Sequence, residues 1–236
     1  MKSKRWRLDR FLRSQLAISQ TDIHLLLAQG RITVDHRAAT GIQQFVDEYT
    51  HVKLDDQVLQ DKVPSYLQLH KPKGVVSATT DRLHPTVIDL LPDPRADNLH
   101  IVGRLDFNST GLVLITNDGR WSRMISDPSR RIEKRYRVVL DKPATPDVVT
   151  AFSQGIHFGF EGITTRPALL SVLAPTVVEV TLTEGRYHQI KRMFGRFNIR
   201  VIALHRISVG ALVLDNTLLP GQSRYLSASE VAVFGG

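Results

Sequence analysis

From residue 66 onward the chain breaks into alternating and continuously apolar runs with few long helices between them, and this pattern restricts the folds open to it. The runs are Tyr66–His70, Leu112–Thr116, Tyr136–Leu140, Ala168–Leu173, Val177–Thr183 and Ala211–Leu214. Alternation is the mark of a half-buried strand, and a short continuous apolar run that of a fully buried one. Helices are predicted over Thr86–Leu91, Ser122–Ile125, Pro146–Gln154 and Tyr187–Phe197. Strands interleaved with short helices predict an α+β domain over residues 66–236, built on a mixed or antiparallel sheet.

The first 60 residues follow a different pattern and read as a separate small module. Leu8, Phe11, Leu12 and Leu16 recur at helical spacing. Ser19 with Asp22 three residues on is a cap signal for a second helix, whose apolar face is Ile23, Leu26 and Leu27. Gly30 stops it. Arg31–Asp35 and Val52–Val58 are each predicted to be a strand. Residues 61–65, Asp-Lys-Val-Pro-Ser, have linker composition.

The chain of 236 residues is long enough to bury a sizeable core. No apolar run approaches the ~18 residues needed to span a bilayer. The basic start is not followed by a hydrophobic stretch with a cleavage site, so a soluble, cytosolic protein is expected. There are no cysteines, which excludes disulfides, cysteine-ligated zinc and a thiolate nucleophile. Cysteine-dependent methylation of uridine is thereby removed, and zinc-dependent deamination is disfavoured. The net charge of +8 is unevenly spread. Residues 1–37 carry eight Lys and Arg against three Asp and Glu, residues 120–137 seven against two, and residues 186–206 six against none. Basic stretches on an otherwise acidic chain suit a protein that follows a polyphosphate backbone.

Four segments can carry chemistry. Gly103–Gly119 presents one carboxylate, Asp106, just before the buried run Leu112–Ile115, with Arg104 two residues upstream. A carboxylate at the mouth of a rigid strand is a place for a nucleophile or general base, although a loop aspartate ordinarily caps a helix or closes a turn. Asp118, in Asn117-Asp118-Gly119, has hairpin-turn composition and is assigned to structure. Glu133–Val138 sets Tyr136 among cations, where a ring can stack on a base. Thr183–Phe194 turns at Gly185 into a polar, basic helix on which Tyr187, His188, Lys191 and Arg192 can point at one site. Leu204–Leu212 brackets Arg206 with apolar residues and reads mainly as core.

Taken in order, His70-Lys-Pro-Lys-Gly-Val75, Gly103-Arg-Leu-Asp106 through Gly119, Glu133-Lys-Arg-Tyr-Arg-Val138 and Glu184-Gly-Arg-Tyr-His-Gln-Ile-Lys-Arg-Met193 resemble the RsuA-type pseudouridine synthases. Residues 1–60, with Arg7, Arg10, Arg13, Arg31 and Arg37 spread over them, resemble the S4 RNA-binding domain that precedes the catalytic domain in that family. His36-Arg37 departs from the family, which often has a glycine-containing turn there. The resemblance implies conversion of a uridine to pseudouridine without metal or cofactor. It implies Asp106 as the nucleophile or essential carboxylate, attacking either C1′ of the ribose or C6 of the base. Lys191 is then its expected cationic partner, with Arg104 second, and Tyr136 stacks on the uracil. Leu204 lines the base pocket, and Tyr187, His188, Gln189 and Arg192 supply further substrate contacts. His84-Pro-Thr-Val87, the Tyr187–Phe194 run and the absence of a basic C-terminal tail most resemble members acting on small-subunit (16S) rRNA. The expected partner is 16S rRNA or a small-subunit assembly intermediate, met by a monomer with no membrane attachment. Two other readings are a large-subunit (23S) rRNA pseudouridine synthase and a non-catalytic RNA-binding or ribosome-assembly protein.

Overall fold

The computed structural model describes residues 5–92 and 99–235, which divide into two compact units, residues 1–64 and 65–236. In the first, β1 (Trp6–Arg7) leads into α1 (Leu8–Leu16), and α2 (Gln20–Ala28) follows. The capping box at α2 is formed: Ser19 Oγ accepts from Asp22 N at 3.2 Å and the Asp22 carboxylate accepts from Ser19 N at 3.1 Å. Next come β2 (Ile32–Val34), β3 (Arg37–Ala38), β4 (Phe45–Val46), β5 (Val52–Leu54) and β6 (Gln57–Gln60). β4 pairs with β1, and the others form an antiparallel sheet in the order β3-β2-β5-β6. Leu8, Phe11, Leu12 and Ile23 pack against Ile32, Val34, Val46 and Val52 as its core.

Residues 52–58 differ from the single strand expected. Asp55 adopts φ 51°, so the run folds back as the β5–β6 hairpin. Asp35 and His36 likewise take φ 49° and 63° between β2 and β3. Asp and His enter this left-handed region more readily than most side chains, and here Asp35 accepts from His51 N, Asp55 pairs with Arg31 and the His36 ring stacks on His51. Residues 61–65 have no regular secondary structure.

The second unit contains β7 (Tyr66–Lys71), β8 (His100–Val102), β9 (Thr110–Thr116), α3 (Gly119–Ser126), β10 (Lys134–Leu140), α4 (Pro146–Gln154), β11 (His157–Phe158) and β12 (Ile163–Thr164). It continues with β13 (Leu169–Ala174), β14 (Val177–Leu182), α5 (Gln189–Gly195), β15 (Val201–Val209), β16 (Leu212–Val213), β17 (Ser223–Tyr225) and α6 (Ala228–Ala232). Among the described residues nine strands form one mixed sheet, β13-β14-β10-β15-β9-β7-β17, with β16 beside β15 and β8 beside β9. β11 and β12 form a separate hairpin. Within the large sheet β15 and β9 pair in parallel, and the other described pairings are antiparallel.

β9 is apolar on both faces because both are covered. Val113 and Ile115 join a core that includes Phe152 of α4 and Phe194 of α5, while Leu112 and Leu114 pack with Trp121 of α3 and with Phe234. The parallel junction needs glycine. Gly111 has φ 108°, and a Cβ there would lie 2.3 Å from the Arg206 carbonyl oxygen. Gly111→Ala is therefore expected to destabilise the fold by about 2–4 kcal/mol, through backbone strain and a backbone clash. Urea unfolding reads this directly, and a loss below about 0.5 kcal/mol would contradict it.

Three local expectations are corrected. Residues 86–91 form no helix. Thr86 Oγ1 accepts from Asp89 N at 3.2 Å and Asp89 accepts from Thr86 N at 2.8 Å, as at a helix start. Only one turn follows, since Pro92 disfavours helical geometry at Leu91. Asp118 is not in a hairpin: its carboxylate caps α3, accepting from Arg120 N at 2.8 Å and Trp121 N at 3.3 Å, and also accepts from the Tyr66 hydroxyl at 2.8 Å. The helix expected from Tyr187 begins at Gln189, because His188 sits at φ 49°, ψ 30°.

Candidate active site

Asp106 lies in the loop between β8 and β9, and the backbone of that loop is held on three sides. Ser77 Oγ donates to Leu105 O at 2.8 Å and accepts from Leu105 N at 3.0 Å. Lys71 Nζ donates to Ser109 O at 2.8 Å, Pro72 O at 3.0 Å and Phe107 O at 3.3 Å. Arg206 donates to Gly103 O at 2.6 Å, Leu112 O at 2.7 Å and Arg104 O at 3.5 Å. Lys71 and Arg206 are 0% and 2% exposed, so these carbonyls replace the water that a buried cation loses. Burial pushes the Lys71 ammonium down to about 8; Asp106 opposes that shift and Arg206 adds to it.

Asp106 itself is reached from α5. Lys191 Nζ donates to its Oδ2 at 2.7 Å, and His188 Nε2 lies 3.5 Å from its Oδ1. The carboxylate keeps 29% exposure, enough to face a bound molecule. His188 reaches it because of its left-handed backbone. Tyr187 extends that arrangement outward, its ring stacked on the imidazole at 3.8 Å.

The carboxylate opens on a cavity of about 1000 Å³, large enough for a nucleotide. Tyr136, Leu204 and Val209 give it apolar walls. Tyr136 stands opposite Arg206 across β10 and β15, where the register shifts between Arg135 and Tyr136. Such a bulge re-aims side chains. Lys134, Arg104, Arg166, Arg186, Lys191 and Arg206 also line the cavity, against the carboxylates Asp106 and Glu184. Glu184 is committed elsewhere: it accepts from Gln189 Nε2 at 2.7 Å, Arg166 N at 3.0 Å and Arg186 Nε at 3.1 Å. The surplus positive charge favours a polyanion.

The residues singled out from the sequence fall into groups. Asp106, Tyr136, Lys191, Leu204, Tyr187 and His188 line one cavity. Arg104 lines it too, with an exposed side chain, and Lys191 makes the ion pair with Asp106. Gln189 faces inward as a brace, its Oε1 accepting from Arg186 N at 2.9 Å. Arg192 turns away from Asp106: it pairs with Glu161 and lies over the Phe158 ring at 3.9 Å. In the first unit, Arg7 pairs with Asp9 at 2.8 Å and Arg31 with Asp55 at 2.6 Å, whereas Arg13 meets Gln20 at 3.3 Å. Arg10 and Arg37 are exposed. Lys71, Ser77, Glu184 and Arg206 were not expected as site residues. A local hint existed for two of them: Lys71 ends the apolar run of β7 and Arg206 is bracketed by apolar residues, and a cation buried in such a place must find acceptors.

Sequence and structure comparisons bear on this geometry. The family described as RNA pseudouridylate synthase matches residues 65–195. The chain is 46% identical over 226 residues to the ribosomal small subunit pseudouridine synthase A of Pseudomonas aeruginosa, covering 95% of this chain and 98% of that protein. It is 40% identical over 227 residues to the protein of the same name from Escherichia coli, covering 96% and 98%. A crystal structure of a pseudouridylate synthase matches with a TM-score of 0.70 at 34% identity, over 97% of this chain and 99% of that one. No helix among the described residues is long and apolar enough to cross a membrane.

Proposed function

The chain belongs to the RNA pseudouridylate synthase family, and from that premise we propose that it converts a uridine of small-subunit (16S) rRNA to pseudouridine, with Asp106 as the essential carboxylate. The observation that carries the reading is Asp106 held 2.7 Å from Lys191 at the edge of a cation-lined cavity. The small-subunit relatives, similar over nearly the full chain, support the choice of RNA.

Isomerisation breaks the N1–C1′ bond, turns the uracil and joins C5 to C1′. The proton lost from C5 is balanced by one gained at N1, so the reaction is redox-neutral. Asp106 begins it as nucleophile, at C1′ or at C6. Lys191 holds the carboxylate in place and offsets its desolvation. Tyr136 stacks on the uracil with Leu204 beside it, and its hydroxyl assists proton removal from C5. The base must leave its helical stack to enter the cavity, at a cost of a few kcal/mol. Arg104 and Arg186, the exposed cations of the cavity, offset that cost through phosphate contacts.

Residues 1–60 act as an S4-like RNA-binding domain, joined through 61–65 to the catalytic domain at 66–236. Arg10 and Arg37, both exposed, are its candidate phosphate contacts, since Arg7 and Arg31 already hold carboxylates and Arg13 meets Gln20. Reversing both to Glu is expected to weaken rRNA binding by about 10-fold or more while single-turnover conversion of saturated RNA stays near wild type. Filter binding at fixed salt checks this, and unchanged affinity would remove the module from RNA recognition. The chain is proposed to act as a monomer. An rRNA substrate carries with it a cytoplasmic location.

The deciding experiment maps pseudouridine by carbodiimide-dependent reverse-transcription stops on 16S and 23S rRNA, with and without the purified protein. A new stop on 16S rRNA is expected. A stop on 23S rRNA alone would reassign the substrate, and none on either would leave an RNA-binding protein without this activity.

A further inference from the structure

The segment Arg186–His188 has features that catalysis at Asp106 does not by itself require. His188 holds a left-handed backbone that a side-chain-bearing residue adopts only at a cost. Its ring is thereby fixed between Asp106 and the ring of Tyr187, which is stacked on it at 3.8 Å and 21°. Tyr187 is 76% exposed, and its outer ring face is left without a partner ring among the described residues. The segment is nonetheless rigidly braced. Gln189 ties the Arg186 backbone to Glu184, and Arg192 Nη1 donates to Tyr187 O at 3.4 Å. Two cations, Arg166 and Arg186, line the same cavity beside it.

We infer that the outer face of Tyr187 is the stacking platform for the nucleobase next to the uridine that enters the cavity. This rests on the reading of the site as an RNA uridine isomerase. A flipped base leaves its neighbour with one face unstacked, and RNA-binding proteins cover such faces with aromatic rings. The separation of the Tyr187 and His188 rings is close to that of stacked bases. A base on Tyr187 therefore adds a third layer to a column whose first layer, His188, already touches Asp106. The strain at His188 then has a purpose: it aligns the column with the carboxylate. Stacking on an aromatic ring accepts any base, so Tyr187 contributes affinity and register more than sequence preference.

The test uses the full-length protein and a 16S rRNA fragment centred on the uridine found by mapping, together with two fragments abasic at the 5′ or the 3′ neighbour. Tyr187→Ala is expected to raise KM about ten-fold or more, with the loss falling on KM rather than kcat. Tyr187→Phe, which keeps the ring, is expected to restore binding. One abasic fragment should weaken wild-type binding to a similar extent and should be bound no worse by Tyr187→Ala than by wild type. Wild-type KM for Tyr187→Ala would overturn the platform. So would equal defects in Tyr187→Phe and Tyr187→Ala, which would assign the contact to the hydroxyl, and so would abasic and Ala effects that multiply. If the wild-type protein forms no pseudouridine in rRNA, the functional reading fails first and the platform falls with it. If it does and Tyr187→Ala is unaffected, only the platform fails.

Discussion

Asp106→Asn is expected to lower pseudouridine formation by more than about 10³-fold, while RNA affinity changes by less than about ten-fold. An amide has the carboxylate's shape but can neither attack carbon nor accept a proton usefully. The substitution leaves the loop intact, because Ser77, Lys71 and Arg206 hold its backbone and make no bond to the Asp106 side chain. Removing a negative charge from a cation-lined cavity does not oppose phosphate binding. Lys191 loses its partner but is 33% exposed and can be solvated. Carbodiimide mapping alongside filter binding separates the two effects. Turnover within about ten-fold of wild type would exclude Asp106 as the essential carboxylate.

The second large effect is expected at Lys191. Lys191→Met is predicted to slow single-turnover isomerisation by about 10²–10³-fold with little change in stability, since the ion pair is partly exposed. Met fills the same space, so the loss is one of charge and of the 2.7 Å bond that fixes Oδ2. His188 remains near the other oxygen, at 3.5 Å, too far to hold it in the same way. Lys191→Arg is expected to recover part of the rate, because the planar fork keeps the charge and alters the geometry. A double-mutant cycle with Asp106→Asn makes the argument specific. Residues that act as a unit are non-additive, so Lys191→Met should cost almost nothing in the Asn background. Additive effects would assign Lys191 a role independent of the carboxylate.

Much of the local structure was legible in the sequence where a single interaction decides it. The Ser19–Asp22 capping box and the Pro146 start of α4 are local signals, and both elements form as expected. Legibility fell where local signals compete. Thr86 and Asp89 make a helix start that Pro92 cuts short. Asn117-Asp118-Gly119 suits a hairpin as well as a helix cap, and the Tyr66 hydroxyl, 52 residues away in sequence, also binds the carboxylate. At His188 a helical pattern yields to a backbone that places a ring beside Asp106. The same holds for the site. Asp106 and Lys191 stand out within their own segments, whereas the sequence marks Lys71 and Arg206 only as cations among apolar residues, and their acceptors at Ser109 and Gly103 lie 38 and 103 residues away. Arg192 shows the opposite: its place in a basic run says nothing of Glu161, which turns it aside.

The parallel pairing of β15 with β9 also bears on when the protein acquires its chemistry. Arg206 and the carbonyl of Gly103 are 103 residues apart, and loop-closure entropy makes a contact of such separation slow to form. Lys191, the counterion of Asp106, comes from the intervening chain, 85 residues beyond the carboxylate. A nascent chain that has emerged only as far as β14 carries Asp106 but neither the cation that faces it nor Arg206. The ion pair at Asp106 and the Arg206 brace are therefore complete only within the last quarter of synthesis.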